Sequence, residues 1–134
     1  MKKTFLFIAL VFITLTTAQN TNYIGHYEKK IKANDGFVLE YELKIKADST
    51  FTFHSFRNIG QLNSVDENSY AKGTWKVIKN IIYFYTDKET ELDEKHQLNF
   101  TNSSGRMDHK DKKLFRFYHS DIFWVDKLTL TKIE

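Results

Sequence analysis

The sequence predicts an all-β domain built as an antiparallel meander, folded either as a barrel or as a sandwich. Apolar and polar residues alternate with a period of two in several short stretches, and turn-forming residues separate these stretches. No stretch combines a helical period of 3.6 with capping residues. Short strands with turn chemistry between them are typical of antiparallel sandwiches and barrels. The chain has no proline and no low-complexity linker, so a single domain is expected.

The first half of the chain contains the clearest strand patterns. A short strand is predicted over 23–31, and a turn follows at 34–36, because Asn, Asp and Gly each relax the backbone demands of a turn. Residues 39–46 alternate between apolar and charged side chains without a fault, which indicates one buried and one exposed face. Residues 50–54 continue the alternation, with two phenylalanines on the buried face.

Residues 73–85 form the hairpin around which the other strands are expected to be arranged. Two aromatic and β-branched runs fold back on each other through Lys79-Asn80, and Asn80 tolerates the positive φ that a two-residue turn requires. We expect Trp75 to be largely buried against the first strand, near Tyr27. Its indole N–H should pair with a carbonyl or tyrosine oxygen.

The remaining segments are less regular. The stretch 58–69 loses its period and is predicted to be the longest loop, whereas 87–94 is predicted to be an acidic, solvated connection. The other predicted elements are a weaker strand at 95–101, a turn at 102–105, hairpin arms at 106–109 and 114–119, and closing stretches at 123–125 and 128–133.

Residues 1–18 are predicted to be a signal peptide, and residues 19–134 the mature domain. Two lysines precede an apolar run of the usual length, and small residues before Gln19 fit a cleavage site. The run is shorter than the roughly 20 residues that a membrane-spanning helix needs. No cysteine follows it for lipid attachment, so no stable membrane anchor is expected. We therefore expect a periplasmic or secreted protein.

The charge balance argues against nucleic acid as a partner. The whole chain has 20 Lys+Arg against 17 Asp+Glu, or +3, and it has 18 against 17, or +1, once Lys2 and Lys3 leave with the leader. A nearly neutral domain with interspersed charges has no general attraction for a polyanion.

The absence of cysteine leaves the core as the source of stability, because no disulfide can form. The chain has 12 Phe, 7 Tyr and 2 Trp, and each buried ring removes a large apolar area from water. A ring-rich interior also makes a natural wall for an apolar cavity. The rings are thus compatible with a packed core and with a cavity wall, and most of them are assigned to the packed core.

Four short motifs follow one another along the chain: Gly25-x-Tyr27, a turn and strand start at 48–51, Gly73-Thr74-Trp75, and a closing Leu-Thr-Leu-Thr-Lys run. This order resembles the small exported lipocalin-like (calycin-type) proteins of bacteria. The resemblance implies an up-and-down antiparallel barrel with an apolar cavity. Closure would remove the exposed sheet edges that promote aggregation. An interior of roughly eight strands is either filled by side chains or left open for one small ligand.

The strand pattern and the resemblance together give candidates for a ligand-binding interior, although packed core is the alternative at each position. Tyrosine hydroxyls or Arg116 would orient a polar end of the ligand. The predicted ligand-binding residues are Tyr41, Leu43, Phe51, Phe53, Trp75, Tyr83, Arg116 and Trp124, and Val77, Phe115 and Phe117 are further candidates to line the interior.

Neither catalytic nor metal chemistry is indicated. The chain lacks cysteine, a Gly-x-Ser-x-Gly elbow and a Gly-rich phosphate loop. His109-x-Asp111 and His119-x-Asp121 could converge on a metal if their strands pair, but neighbouring lysines oppose a cation, and a surface hairpin is favoured. We expect no catalytic residue, no metal and no cofactor.

Two functional hypotheses follow, and an enzyme is a distant third. The first is an exported, non-enzymatic lipocalin-like protein that binds a small apolar or amphipathic molecule in an aromatic-lined barrel. The alternative is an exported protein–protein interaction or inhibitor module on a filled barrel. This module would use the loops 58–69 and 87–94, because function concentrates in loops on rigid frames. The identities of the ligand and of any protein partner stay open.

Overall fold

Eight antiparallel strands close into a barrel in the computed structural model, which describes residues 22–60 and 64–134. Apolar and polar residues alternate along these strands. Each strand pairs with the next in sequence, and β8 returns to β1 through Tyr27–Lys132 and Glu28–Thr131. The strands are β1 Gly25–Lys32, β2 Val38–Ile45, β3 Thr50–Asn58, β4 Glu67–Ile78, β5 Ile81–Tyr85, β6 Ser103–Met107, β7 Leu114–His119 and β8 Thr129–Lys132. The predicted all-β meander is confirmed, and it is a barrel rather than a sandwich.

The predicted signal peptide at 1–18 lies outside the described residues, as do positions 61–63 of the predicted loop. The ranges 22–60 and 64–134 contain no helix that is long and apolar enough to cross a lipid bilayer.

The central hairpin forms as predicted. Lys79 and Asn80 both have positive φ, at 50° and 69°, which is the backbone of a two-residue turn matched to the twist of the strands. Trp75 faces inward and is 6% exposed. Its indole N–H donates to the carbonyl of Lys46 at 3.0 Å. The predicted carbonyl partner is therefore confirmed, and it belongs to the turn between β2 and β3.

Aromatic rings fill the centre of the barrel. Phe100 is fully buried, although it lies in the connection between β5 and β6 and not on a strand. Its ring centroid is 4.8 Å from that of Phe53 and 5.4 Å from that of Phe51. The rings of Phe117 and Phe84 follow at 6.0 and 6.2 Å. These are the separations of packed aromatic pairs, so the ring of Phe100 occupies the middle of the interior.

The long connections differ from their predicted bounds. Residues 67–69 begin β4, which leaves 59–66 between β3 and β4, and the connection 86–102 is longer. The strand predicted at 95–101 is wrong, since this stretch makes only an isolated bridge between His96 and Tyr70. The turn predicted at 102–105 is also wrong, because β6 begins at Ser103.

Side-chain hydrogen bonds explain why residues 95–101 do not join the sheet. Thr86 is buried, and its hydroxyl donates to the carbonyl of Lys72 at 3.1 Å and accepts from the N–H of Phe100 at 3.0 Å. The hydroxyl of Thr101 donates to the carbonyl of Thr86 at 3.1 Å. Local side-chain bonds of this kind satisfy the backbone without a strand ladder. They also hold Phe100 in the interior.

The last part of the chain follows the prediction in one hairpin and departs from it once. The arm predicted at 114–119 is β7, whereas the arm predicted at 106–109 overlaps β6 only at residues 106–107. The stretch 123–125 is not a strand and lies in the connection between β7 and β8, where it covers one end of the barrel.

Candidate functional site at the barrel mouth

The connections β1–β2, β3–β4, β5–β6 and β7–β8 all lie at one end of the barrel, which we name the mouth. An open cleft of about 440 Å³ lies there. Its walls come from the mouth ends of β2, β3 and β4 and from the β7–β8 connection. This mouth cleft is lined by Phe37, Leu39, Tyr41, Ser55, Arg57, Glu67, Ser69, Phe123 and Trp124.

Stacked rings form the apolar side of the mouth cleft. The ring of Trp124 stacks on Tyr41 with centroids 5.9 Å apart and planes at 20°, and it lies 6.0 Å from the ring of Phe53. Phe53 belongs to the filled interior, so Trp124 separates the cleft from the core.

Hydrogen bonds of the buried residues Ser103 and Ser120 hold the connection that carries Trp124. The hydroxyls of Ser120 and Ser103 are 2.8 Å apart, and the N–H of Ile122 donates to the Ser120 hydroxyl at 3.1 Å. The N–H of Ser120 donates to Asp126 Oδ1 at 3.1 Å. These bonds place the Trp124 ring on a fixed frame, which favours recognition by a preformed surface.

The opposite side of the mouth cleft is polar, and β3 and β4 supply it. Ser55 is paired with Ser69, and Arg57 with Glu67, across the two strands. Arg57 Nε donates to Glu67 Oε2 at 2.7 Å, and Arg57 Nη2 lies 2.6 Å from the same oxygen. Neither contact uses Nη1 of Arg57 or Oε1 of Glu67. The ion pair therefore keeps polar atoms that can bind a ligand.

Tyr41 lies between these two sides. Burial raises the pKa of the Tyr41 hydroxyl, and the positive charge of Arg57 partly opposes that rise. A nearby positive charge favours the ionised form of a tyrosine, which is why the two effects have opposite directions. The hydroxyl is thus a neutral donor at physiological pH, beside a cation.

Two other open clefts have similar volumes, so volume alone does not identify a site. One, of about 460 Å³, lies against β4, β5 and β6 and includes Trp75 and Tyr83. The other, of about 490 Å³, lies at the end opposite the mouth and includes Tyr23, Met107 and Lys132. The mouth cleft differs from both because two stacked rings form one side of it and an ion pair between Arg57 and Glu67 lies on the other.

The eight predicted ligand-binding residues divide into four groups. Tyr41 and Trp124 line the mouth cleft. Leu43, Phe51 and Phe53 are buried in the filled interior, and Trp75 is buried at the end of the barrel opposite the mouth. The expected inward positions of Tyr83 and Arg116 are wrong, because both side chains are exposed on the outer face. Whether any of the eight contacts a ligand stays a prediction.

Strand register explains both wrong positions. In a two-residue hairpin through Lys79-Asn80, Trp75 is opposite Phe84, so Phe84 shares its inward face and Tyr83 points outward. Arg116 lies between two buried phenylalanines, and alternate residues of a strand face opposite sides. The register implied by the turn was thus a signal in the sequence for these positions. Of the further lining candidates, Phe115 and Phe117 are fully buried and Val77 is partly buried against the core.

Sequence reasoning missed Arg57, Glu67 and Phe100. Arg57 has the same parity as Phe51 and Phe53, so continuing the alternation of β3 by four residues would have placed it inward. Glu67 lay in a stretch predicted to be a loop. Phe100 lay in the strand predicted at 95–101, but no named strand lies between β5 and β6, so strand alternation could not place its ring in the centre of the interior.

The histidine–carboxylate pairs considered from the sequence do not come together. His119 Nε2 is 3.4 Å from Asp121 Oδ1 and its Nδ1 is 3.9 Å from Asp126 Oδ1, whereas His109 and Asp111 belong to the turn between β6 and β7. In the described part of the chain, the group of three potential metal ligands that converges is another one, His26, Glu28 and Glu42.

Comparison of the chain with models of protein families, with curated proteins and with solved structures gives no match. The closed antiparallel barrel of eight strands is therefore known from the structure alone.

Proposed function

We propose that this protein is an exported, non-enzymatic, lipocalin-like barrel that binds one small amphipathic molecule in its mouth cleft. The observation that carries the proposal is the division of that cleft into an aromatic side and an ion-paired polar side above a ring-filled interior. Small-molecule sites are mostly apolar, with a few well-placed polar groups that set orientation.

The size of the cleft supports a small ligand. Its volume of about 440 Å³ falls in the lower part of the range of roughly 300–1,000 Å³ typical of ligand sites. The Phe100 ring occupies the space further down the barrel. The proposed ligand therefore lies across the mouth, with its apolar part on the ring of Trp124.

The polar side supports recognition of a polar end that accepts hydrogen bonds. Arg57 has five N–H donors, and its two contacts with Glu67 converge on one carboxylate oxygen. Ser55 and Ser69 add hydroxyls beside the ion pair. A carboxylate or similar acceptor would bind to the remaining guanidinium donors, and the Tyr41 hydroxyl would donate to the same group.

The test uses the fluorescence of Trp124 as a reporter. In a Trp75→Phe background, Trp124 is the single tryptophan, and fatty acids of different chain lengths, retinoids and haem are titrated against its emission. We expect saturable quenching or a spectral shift for an amphipathic member of this panel. Arg57→Ala should weaken the binding of a carboxylate ligand about 10- to 100-fold, because a hydrogen bond to a charged group contributes about 1.5–3 kcal/mol.

Arg116→Ala is the matched control, because it removes the same charge from the outer face. It should change the affinity less than about twofold, since it is a surface substitution away from the cleft. Glu67→Gln should strengthen the binding of a carboxylate by removing a nearby negative charge. The proposal is wrong if no member of the panel saturates, or if Arg116→Ala weakens binding as much as Arg57→Ala does.

A second function, docking of a protein partner on the same end, has one observation in its favour. Large apolar side chains are exposed around the mouth, with Phe123 at 87% and Val65 at 75%. Of the two loops predicted for this function, 59–60 and 64–66 belong to the β3–β4 connection, and 87–94 lies within the connection 86–102. Substitution of Val65 by serine would weaken capture of a protein partner. Val65 does not line the mouth cleft, so Trp124-reported binding of a small molecule should stay in place.

A further inference from the structure

Three side chains that can ligate metals meet on the outer face of β1 and β2, on the opposite side of the sheet from the interior. His26 Nε2 is 3.1 Å from Glu42 Oε2 and 3.5 Å from Glu28 Oε1. One potential ligand atom from each of the three residues lies within 4.8 Å of the other two. Glu28 and Glu42 are direct partners in the β1–β2 register, so the pairing of the strands itself creates the group.

The two carboxylates are juxtaposed like charges. Directly opposed like charges on neighbouring strands destabilise a sheet unless something between them compensates. Lys30 Nζ lies 3.7 Å from Glu28 Oε2, and Lys44 Nζ lies 3.5 Å from Glu42 Oε1. Each lysine thus contacts the carboxylate oxygen that does not face His26. The oxygens that face the imidazole are the ones that a cation would need.

One ring nitrogen of His26 has no hydrogen-bond partner. His26 Nε2 is shielded from solvent and makes no hydrogen bond, although two carboxylate oxygens lie nearby. Buried polar atoms in proteins are nearly always paired, and an orphan atom calls for an explanation such as an ion. A ring nitrogen is the atom through which histidine binds a metal ion.

We propose that His26, Glu28 and Glu42 form a binding site for a divalent cation of the zinc type. Zinc binds histidine nitrogen and carboxylate oxygen at about 2.0–2.2 Å, so neighbouring ligands of a tetrahedral ion are about 3.4 Å apart. The separations of 3.1 and 3.5 Å between His26 Nε2 and the two carboxylate oxygens match two edges of that tetrahedron. A mixed nitrogen and oxygen donor set selects zinc-like ions over magnesium and calcium, which prefer oxygen ligands alone.

A fourth protein ligand is not supplied by the neighbouring strand. His54 pairs with Glu42 in the β2–β3 register, but its ring stacks on Tyr70 with centroids 4.4 Å apart and planes at 5°. His54 Nε2 also lies 2.8 Å from Asn68 Oδ1. Water would therefore complete the coordination of the ion, as it does where zinc has three protein ligands.

A metal at this position would link the first two strands of the barrel. Glu28 is also a register partner of Thr131 in β8, so the site is next to the seam where the barrel closes. The chain has no cysteine and therefore no disulfide. A bound metal would cross-link the two strands in the folded state, as disulfides do in other small domains. Binding to the folded state alone would raise the melting temperature with increasing metal concentration.

The experiment titrates Zn²⁺ into untagged, EDTA-treated protein by calorimetry and follows thermal unfolding in parallel. We expect one site per chain, a higher melting temperature with Zn²⁺ and reversal by chelator. His26→Gln should weaken Zn²⁺ binding at least about tenfold, because an amide is a much poorer zinc ligand than imidazole. Glu28→Gln should have the same effect, and it also checks that loss of binding does not reflect misfolding at position 26.

His119→Ala is the matched control, since it removes an exposed histidine that also lies beside two aspartates. It should leave the affinity for Zn²⁺ within about twofold of the original. Nitrogen-15 NMR of the imidazoles should show a shift of the His26 Nε2 resonance on binding. The proposal is overturned by an absence of saturable binding below about 1 mM Zn²⁺, by equal binding of Mg²⁺, or by equal losses in His119→Ala and His26→Gln.

Discussion

Replacing Phe100 with alanine tests whether the connection 86–102 fills the barrel. Phe100 is fully buried, and four aromatic rings surround it with centroid distances from 4.8 to 6.2 Å. Neighbouring strands cannot collapse onto the vacated space, because β3, β5 and β7 are held in one closed ladder. The substitution should therefore cost about 3–5 kcal/mol of unfolding free energy, the usual result for a buried phenylalanine.

Guanidinium unfolding, followed by tryptophan fluorescence and by far-ultraviolet circular dichroism, measures this cost. We expect a lower midpoint with an unchanged slope, since the substitution removes packing without changing the fold. The melting temperature should fall by roughly 10–20 °C in a domain of this size. A dry cavity lined by phenylalanine rings should also bind benzene in the variant and not in the original protein.

Phe123→Ala is the matched control, because the same side chain is lost from a position that is 87% exposed. It should change the unfolding free energy by less than about 0.5 kcal/mol. An unfolding midpoint for Phe100→Ala equal to that of the original protein would refute the filled interior. Equal costs for the two substitutions would refute the assignment of Phe100 to the core.

Two further predictions concern stability. Trp75→Ala should lower the unfolding free energy by about 3–5 kcal/mol. Trp75→Phe should lower it by only about 1–2 kcal/mol, because this change keeps most of the apolar volume and loses mainly the N–H bond to the Lys46 carbonyl. Equal losses for the two variants in denaturant titrations would show that Trp75 is not core. Burial holds the pKa of the Tyr27 hydroxyl well above its usual 10, so above about pH 10 the folded state keeps a proton that the unfolded state releases. The contribution of Tyr27 to the unfolding free energy is therefore fully present below about pH 10 and is lost as the pH rises. Tyr27→Phe should lower the unfolding free energy near neutral pH by about 1 kcal/mol, because the hydrogen bond to the Tyr23 carbonyl is lost. It should also make the alkaline loss of stability shallower but not abolish it, since the pKa values of Tyr23 and Tyr41 are raised as well. An unchanged loss of stability between about pH 9 and pH 11 would contradict this assignment.

Much of the fold could be predicted from local patterns. The period of two in 39–46 identified β2, and the residues 79–80 identified a two-residue turn whose positive φ values are present in the structure. These features depend on neighbours in the chain, so they can be read without knowing the tertiary contacts. The same local rule would have placed Tyr83 outward once the turn was identified, because a two-residue hairpin sets the register.

The candidate sites depend on contacts between distant parts of the chain. Trp124 lies in an aperiodic connection and meets Tyr41 only because the barrel closes, so no local pattern assigns it to the mouth cleft. Glu28 and Glu42 face each other through the register of β1 and β2, and that register follows from the turn between these strands and their shared buried face.

The amino-acid sequence by itself determined the strand alternation, the short turns and a ring-rich core, because each of these is a property of neighbouring residues. Only the tertiary structure decided that aromatic rings fill the barrel and that a cleft with one aromatic side and one ion-paired side lies at its mouth. The physical reason is that Phe100 enters the interior from a connection held by the hydrogen bonds of Thr86, and Trp124 covers the rings from the β7–β8 connection at the mouth. Packing between segments far apart in the chain leaves no periodic trace in the sequence.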